Sequence, residues 1–297
     1  MRKAVIRQSR GDRIFDAMLY LAAFLVLAVV LVPLIFVVSA SFSDPDLVLR
    51  GKVLLLPKGI NVVAYKMVFQ NAEIWLGYRN TAFYTVFGTM VNIAMTILAA
   101  YPLSRKEMVG RKWLMLLIVF TMYFSGGLIP TYLLVKNLGL ENTIWAMIVP
   151  VAISTYNLIV CKSFFENNIP QDLYESAMLD GCNNTRMLLS IVLPLSKAII
   201  AVLVLYYAVA HWNSYFNALV YLRKRELQPL QIILRGILLM GETEQMGSND
   251  IGMGEKLKMA EAIKYAVIVV ASVPMLMLYP FVQKYFVQGV MVGAIKG

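Results

Sequence analysis

Charged positions along this chain are gathered into short clusters, and between them lie six blocks with no Asp, Glu, Lys or Arg. The blocks are residues 17–40, 81–103, 113–135, 142–161, 198–222 and 265–283. Each is close to the roughly 20 apolar residues that an α-helix needs to cross a bilayer. Backbone groups in lipid must be satisfied within their own segment, so the blocks are read as helices. The pattern predicts an all-α, polytopic membrane protein with six transmembrane helices, a single transmembrane domain over residues 1–297. Two long connections, 41–80 and 223–264, fall on one side. A third, 166–195, falls on the other. Ser125-Gly126-Gly127 and Pro130 interrupt the third block, and Pro274 and Pro280 the sixth. Such breakers are tolerated where backbone faces protein or a wet cavity, or where small residues pack helices together. The first block has 24 residues. A signal-peptide core has only about 7–15, so this block is read as a retained helix.

Charge sets the orientation. The N-terminal tail carries Arg2, Lys3, Arg7, Arg10 and Arg13, and the second connection carries Arg105, Lys106, Arg111 and Lys112, against Lys136 alone in the third. Basic residues prefer the cytoplasmic side. The N-terminus, the connection 166–195 and, with six spans, the C-terminus are therefore expected in the cytoplasm. Loops 41–80 and 223–264 are expected outside. Arg223-Lys224-Arg225, at the outer end of the fifth block, runs against this rule. The net charge of +10 is assigned to these flanks and not to nucleic acid, because 60% of the chain is hydrophobic and only 15% charged. Soluble domains carry about 25% charged residues.

Composition also narrows the chemistry. Cys161, Cys182 and the single histidine, His211, have no metal-ligand spacing. No GxxxxGK[ST] phosphate loop occurs, so ATP hydrolysis is not expected of this chain. No acidic residue lies in any block, which argues against an embedded enzyme. A secondary transporter driven by an ion gradient is the alternative. It would need charges within the spans or an inverted repeat, and the sequence offers neither.

The connection 166–195 is unlike a plain linker. Pro170 suits a helix start. Gln171, Asp172 and Glu175 suit its first turn, and Gly181 is placed to end it in a left-handed turn. Tyr174, Ala177 and Met178 share one face, and the small Ala177 would let another protein approach closely. Residue chemistry leaves two readings open: a knob for a partner's groove, or an ordinary interfacial helix.

Glu175, Ala177, Asp180, Gly181, Ile191, Leu193 and Pro194 follow a known spacing. The stretch resembles the signature cytoplasmic loop of ABC importer permeases, with Ser176 and Cys182 as small-for-small departures. Further runs extend the resemblance over the chain: Ser39-Ala40-Ser41-Phe42-Ser43, Tyr101-Pro102-Leu103-Ser104-Arg105 and His211-Trp212-Asn213. These are similar to the carbohydrate subgroup, in particular to the second membrane subunit of maltose importers. The runs from Phe124 to Tyr132 and Leu138-Gly139-Leu140 resemble permeases for acidic oligosaccharides of the aldouronate and alginate type.

The resemblance implies a type I ABC importer permease in a bacterial inner membrane. It implies two cytoplasmic ATPase subunits that bind ATP and Mg, a second homologous permease subunit, an external solute-binding protein and a carbohydrate substrate. It casts Tyr174, Glu175, Ala177, Met178, Asp180, Gly181 and Pro194 as the ATPase-coupling loop, with Glu175 pairing a basic residue of the ATPase. Polar residues within spans are candidates for the translocation path: Asn92, Thr96, Asn157, Tyr206, His211, Trp212, Asn213 and Asn217. Tyr206, Tyr207 and Trp212 add the aromatic faces that suit sugars.

Overall fold

The computed structural model describes residues 9–246, 263–278 and 280, and every extended element among them is helical. The chain divides into two compact units, Met1–Asn71 with Gly236–Ala271, and Ala72–Arg235 with Ser272–Gly297.

The first unit begins with α1 (Arg10–Ser41). A reciprocal cap starts it. The Asp12 N–H donates to Ser9 Oγ at 3.1 Å, and the Ser9 N–H donates to the Asp12 carboxylate at 2.8 Å. The apolar length of α1 stays unburied, as expected of a helix in contact with lipid. Its C-terminal hydroxyls hold the following loop. Ser39 Oγ donates to the Leu55 carbonyl at 2.7 Å, Ser43 Oγ donates to the Ser39 carbonyl at 2.6 Å, and the Lys58 N–H donates to Ser43 Oγ at 3.0 Å. Asp44 and Pro45 then start the short α2 (Pro45–Leu49), and α3 (Val63–Gln70) follows.

The second unit is organised on α4 (Ala72–Ser104), whose 33 residues extend for about 50 Å without a break. Gly77 and Gly88 on α4 are packing positions. A Cβ on Gly77 would lie 2.9 Å from the Leu230 Cα, and one on Gly88 would overlap the His211 ring. Around α4 three of the remaining apolar blocks are interrupted by bends or breaks. α5 (Arg111–Tyr123) and α6 (Leu128–Asn137) diverge by 114°. A 3-10 segment, Ile144–Val151, meets α7 (Thr155–Asn168) at 51°. The segment Asn184–Leu195, which contains α9 (Asn184–Met187), a π-type turn and α10 (Leu193–Leu195), meets α11 (Lys197–Trp212) at 82°. α8 (Gln171–Leu179) lies between α7 and α9, and α12 (Phe216–Tyr221) follows α11.

Only α1 and α4 are therefore long and apolar enough to span alone among the described residues, and five spans are reached if each bent pair counts once. The expected third, fourth and fifth spans are broken helices. The fifth ends at Trp212 and restarts at Phe216. The sixth is described only as α14 (Ile263–Leu278), and most of its remainder lies outside the described residues.

Two apolar cores stabilise the second unit. Ile97, Ala100 and Leu103 of α4 pack with Leu158, Cys161 and Phe165 of α7, Tyr174 and Ala177 of α8, and Ile199 and Leu203 of α11. Tyr84, Met147, Ile148, Ala218 and Tyr221 form the other. The start of loop 223–264 is pinned to α4. Asn80 Nδ2 donates to the Glu226 and Gln228 carbonyls, and the Leu230 N–H donates to Thr81 Oγ1 at 2.8 Å. The apolar run after it forms α13 (Leu230–Met246), with Leu230 and Leu234 buried.

Candidate functional site: a cavity and a capped helix

The break before α7 frees backbone groups that a continuous helix would pair internally. Side chains from α4 and α11 satisfy them. Asn92 Nδ2 donates to the Val151 carbonyl, and the Ser154 N–H donates to the Tyr207 hydroxyl at 3.2 Å. That hydroxyl also meets Thr96 Oγ1 at 2.7 Å, and His211 Nε2 lies 2.6 Å from Asn92 Oδ1. Buried polar groups of this kind persist only when paired. Gly88 provides the space for the His211 ring.

Beside this network is a cavity of about 270 Å³, lined by Val151, Ser154, Asn157, Tyr206, Tyr207, Ala210, His211, Ser214 and Asn217. Its walls offer hydroxyls, amides and aromatic faces and carry no Asp, Glu, Lys or Arg. Of the candidates for the path, Asn157, Tyr206, His211 and Asn217 meet here. Asn92 and Thr96 stand behind the wall and hold His211 and Tyr207. Two candidates lie elsewhere. Trp212 is buried with its ring 6.1 Å from Tyr78, and Asn213 is exposed with its amide donating to the Val209 carbonyl at 2.9 Å. Ser154 and Ser214 were missed. Each lies at the break in a predicted span, which is the signal that could have found them.

On the other side of the α7 helix, α8 has the expected boundaries. Pro170 precedes its first turn, and Gly181 closes it at φ +75°. The Cys182 N–H donates to the Ala177 carbonyl at 2.9 Å and the Gly181 N–H to the Met178 carbonyl at 3.0 Å, the paired bonds of a glycine C-cap. The expected shared face of Tyr174, Ala177 and Met178 is split. Tyr174 and Ala177 are buried in the chain's own core, while Met178 is 48% and Leu179 90% exposed. Ala177 packs closely onto this chain's own helices. Leu173, Tyr174 and Ala177 form an apolar stripe, and such stripes turn to the nearest core. Glu175, Asp180, Gly181 and Pro194 are exposed.

Ion pairs brace this end. Arg105, itself buried, places its guanidinium 3.7 Å over the Tyr174 ring and pairs with Glu107 at 3.2 Å. Gln171 Nε2 donates to Glu107 Oε1 at 3.1 Å. The Glu107 carboxyl is held below its usual range by its own backbone N–H, with help from Gln171 and Arg105. Burial raises the Tyr174 phenol, against the Arg105 charge. Glu166 accepts from Arg111 at 3.0 Å and Lys162 at 2.7 Å. Among the described residues no group of three or more His, Cys, Asp or Glu could hold a metal.

Residues 74–292 match a known family, the binding-protein-dependent transport system inner membrane component. The chain belongs to that family. The polygalacturonan/rhamnogalacturonan transport system permease protein YtcP of Bacillus subtilis (strain 168) is 42% identical over 96% of this chain and 99% of its own length. The melibiose/raffinose/stachyose import permease protein MelC of the same organism is 28% identical over 82% of this chain and 84% of its own. Among solved structures, a chain of a bacterial ABC transporter involved in the import of the acidic polysaccharide alginate superposes with a TM-score of 0.86. It is 34% identical, over 95% of this chain and 100% of that one. The protein is thus a permease component of a binding-protein-dependent carbohydrate importer of the ABC type, with the all-helical fold of that family.

Proposed function

We propose that this permease carries oligosaccharides containing uronate units, and that ATPase subunits drive it through the exposed face of α8. The observation that carries the docking reading is the arrangement of α8. Its inner face is fixed by Tyr174, Ala177 and the glycine cap, and its outer face presents Glu175, Met178 and Leu179. A rigid helix with a bare apolar and acidic face suits a groove bearing a basic residue. The chain pairs with a second, related permease subunit, and each half contributes six transmembrane helices, bent ones included. Two ATPase subunits bind ATP and Mg on the cytoplasmic side, where both termini of this chain lie. An external binding protein delivers the substrate.

The substrate reading is supported by relatives whose names carry polygalacturonan and alginate, both acidic polysaccharides. The hydroxyl, amide and aromatic lining of the cavity suits sugar hydroxyls and ring faces. The test is purification with tagged partners, followed by uptake in liposomes. An ATPase should co-purify, and galacturonate oligomers should compete for uptake better than neutral oligosaccharides. Gly181→Val forces a branched side chain into the left-handed region and should release the ATPase. Uptake by this chain alone, without ATP, would sink the reading.

A further inference from the structure

A buried arginine ties α8 to the end of the longest helix. Arg105 is 8% exposed and follows α4 directly. Its Nε and Nη2 both reach the Glu107 carboxylate, at 3.2 and 3.4 Å, and its guanidinium covers the Tyr174 ring at 3.7 Å. Glu107 in turn accepts from Gln171 in the first turn of α8. Two residues just beyond α4 thus grip two successive turns of α8. The Arg105 side chain is shielded from water while that of Glu107 is about half-exposed, so the contact with the Tyr174 ring is the water-excluded part of this grip.

What α4 does with a push is set by its continuity. The route from α8 through α9 and α10 to α11 passes a bend of 82°, while the shorter α7, unbroken from Thr155 to Asn168, reaches the cavity at Asn157. α4 is unbroken and carries Thr96 and Asn92, which hold Tyr207 and His211 in the cavity wall.

We propose that Arg105 and Glu107 are positioning residues that lock α8 to α4, so that displacement of α8 is passed along α4 to the cavity. The proposal rests on the reading of α8 as the ATPase-docking element.

The test uses the complete transporter in liposomes, with galacturonate oligomer uptake and ATP hydrolysis measured on the same preparation. Arg105→Gln should still bring down the ATPase and hydrolyse ATP. In both Arg105→Gln and Tyr174→Leu, uptake per ATP should fall about ten-fold, the size of an ordinary coupling between sites. Tyr174→Phe keeps the ring face and should stay within roughly two-fold of wild type. The Arg105→Gln/Tyr174→Leu double variant should be no worse than either single one, because both remove one shared contact. Wild-type uptake per ATP in both single variants would overturn the proposal, as would equal losses in Tyr174→Phe and Tyr174→Leu. If Arg105→Gln fails to assemble, the two Tyr174 variants decide. Absence of any ATPase from the wild-type preparation would instead defeat the docking reading, and the lock with it.

Discussion

Residues 81–103 and 113–135 are matched in length, and neither block contains a charge, yet they fold differently. The first lies within α4, an unbroken helix, and the second folds by 114° between α5 and α6. Both contain glycine, so glycine content does not separate them. What separates them is the use of the glycine. Gly88 keeps helical backbone and gives up its side-chain space to His211, whereas Gly127 sits at φ +89° with nothing nearby. Hydropathy measures whether a segment tolerates lipid. It does not register whether a small residue serves close packing or a turn.

Substitutions can break that comparison. The largest effect belongs to Gly88→Leu, which drives a side chain into the His211 ring. It should cost about 3 kcal/mol and lower the thermal midpoint of the detergent-solubilised protein sharply. Gly127→Ala should cost about 2 kcal/mol by backbone strain alone, with no clash to relieve. Asn92→Ala leaves the Val151 carbonyl and His211 Nε2 without their partner. It should cost roughly 1.5 kcal/mol by the same assay, because hydrogen bonds within membranes are modest. Gly126→Ala meets only Pro130 at 3.7 Å and should change stability by less than about 0.5 kcal/mol. If Gly126→Ala proved as damaging as Gly88→Leu, the distinction between the two regions would fail.

The smallest effect concerns Glu107, between the two regions. Its folded-state carboxyl titrates below the ordinary value, so its contribution is present above about pH 4.3 and is lost as pH falls through the lower folded value. Glu107→Gln should flatten that acid-side loss in a stability profile and lower neutral-pH stability by the same small amount.

The spacing of Pro170, Glu175 and Gly181 made α8 legible in the sequence, because caps depend on local chemistry. Its facing was not, because Tyr174, Ala177 and Met178 share a stripe whose split depends on which core lies closer. Asn157, Tyr206, His211 and Asn217 were legible as polar residues in apolar blocks. Ser154 and Ser214 were not, because they matter through the helix breaks beside them, and a charge-free block conceals its bends. Arg105 read as an ordinary basic flank. Its burial comes from Tyr174, some seventy residues away, and no local pattern encodes that contact.

The most direct test of the account is uptake of galacturonate oligomers by liposomes holding the complete transporter, with Glu175→Lys compared to wild type. Wild type should import only with ATP inside the cytoplasmic compartment. Glu175→Lys should lose uptake at least about ten-fold through lost ATPase docking, because it reverses an exposed charge at the proposed contact. Undiminished ATP-driven uptake by Glu175→Lys, with the ATPase still bound, would contradict it.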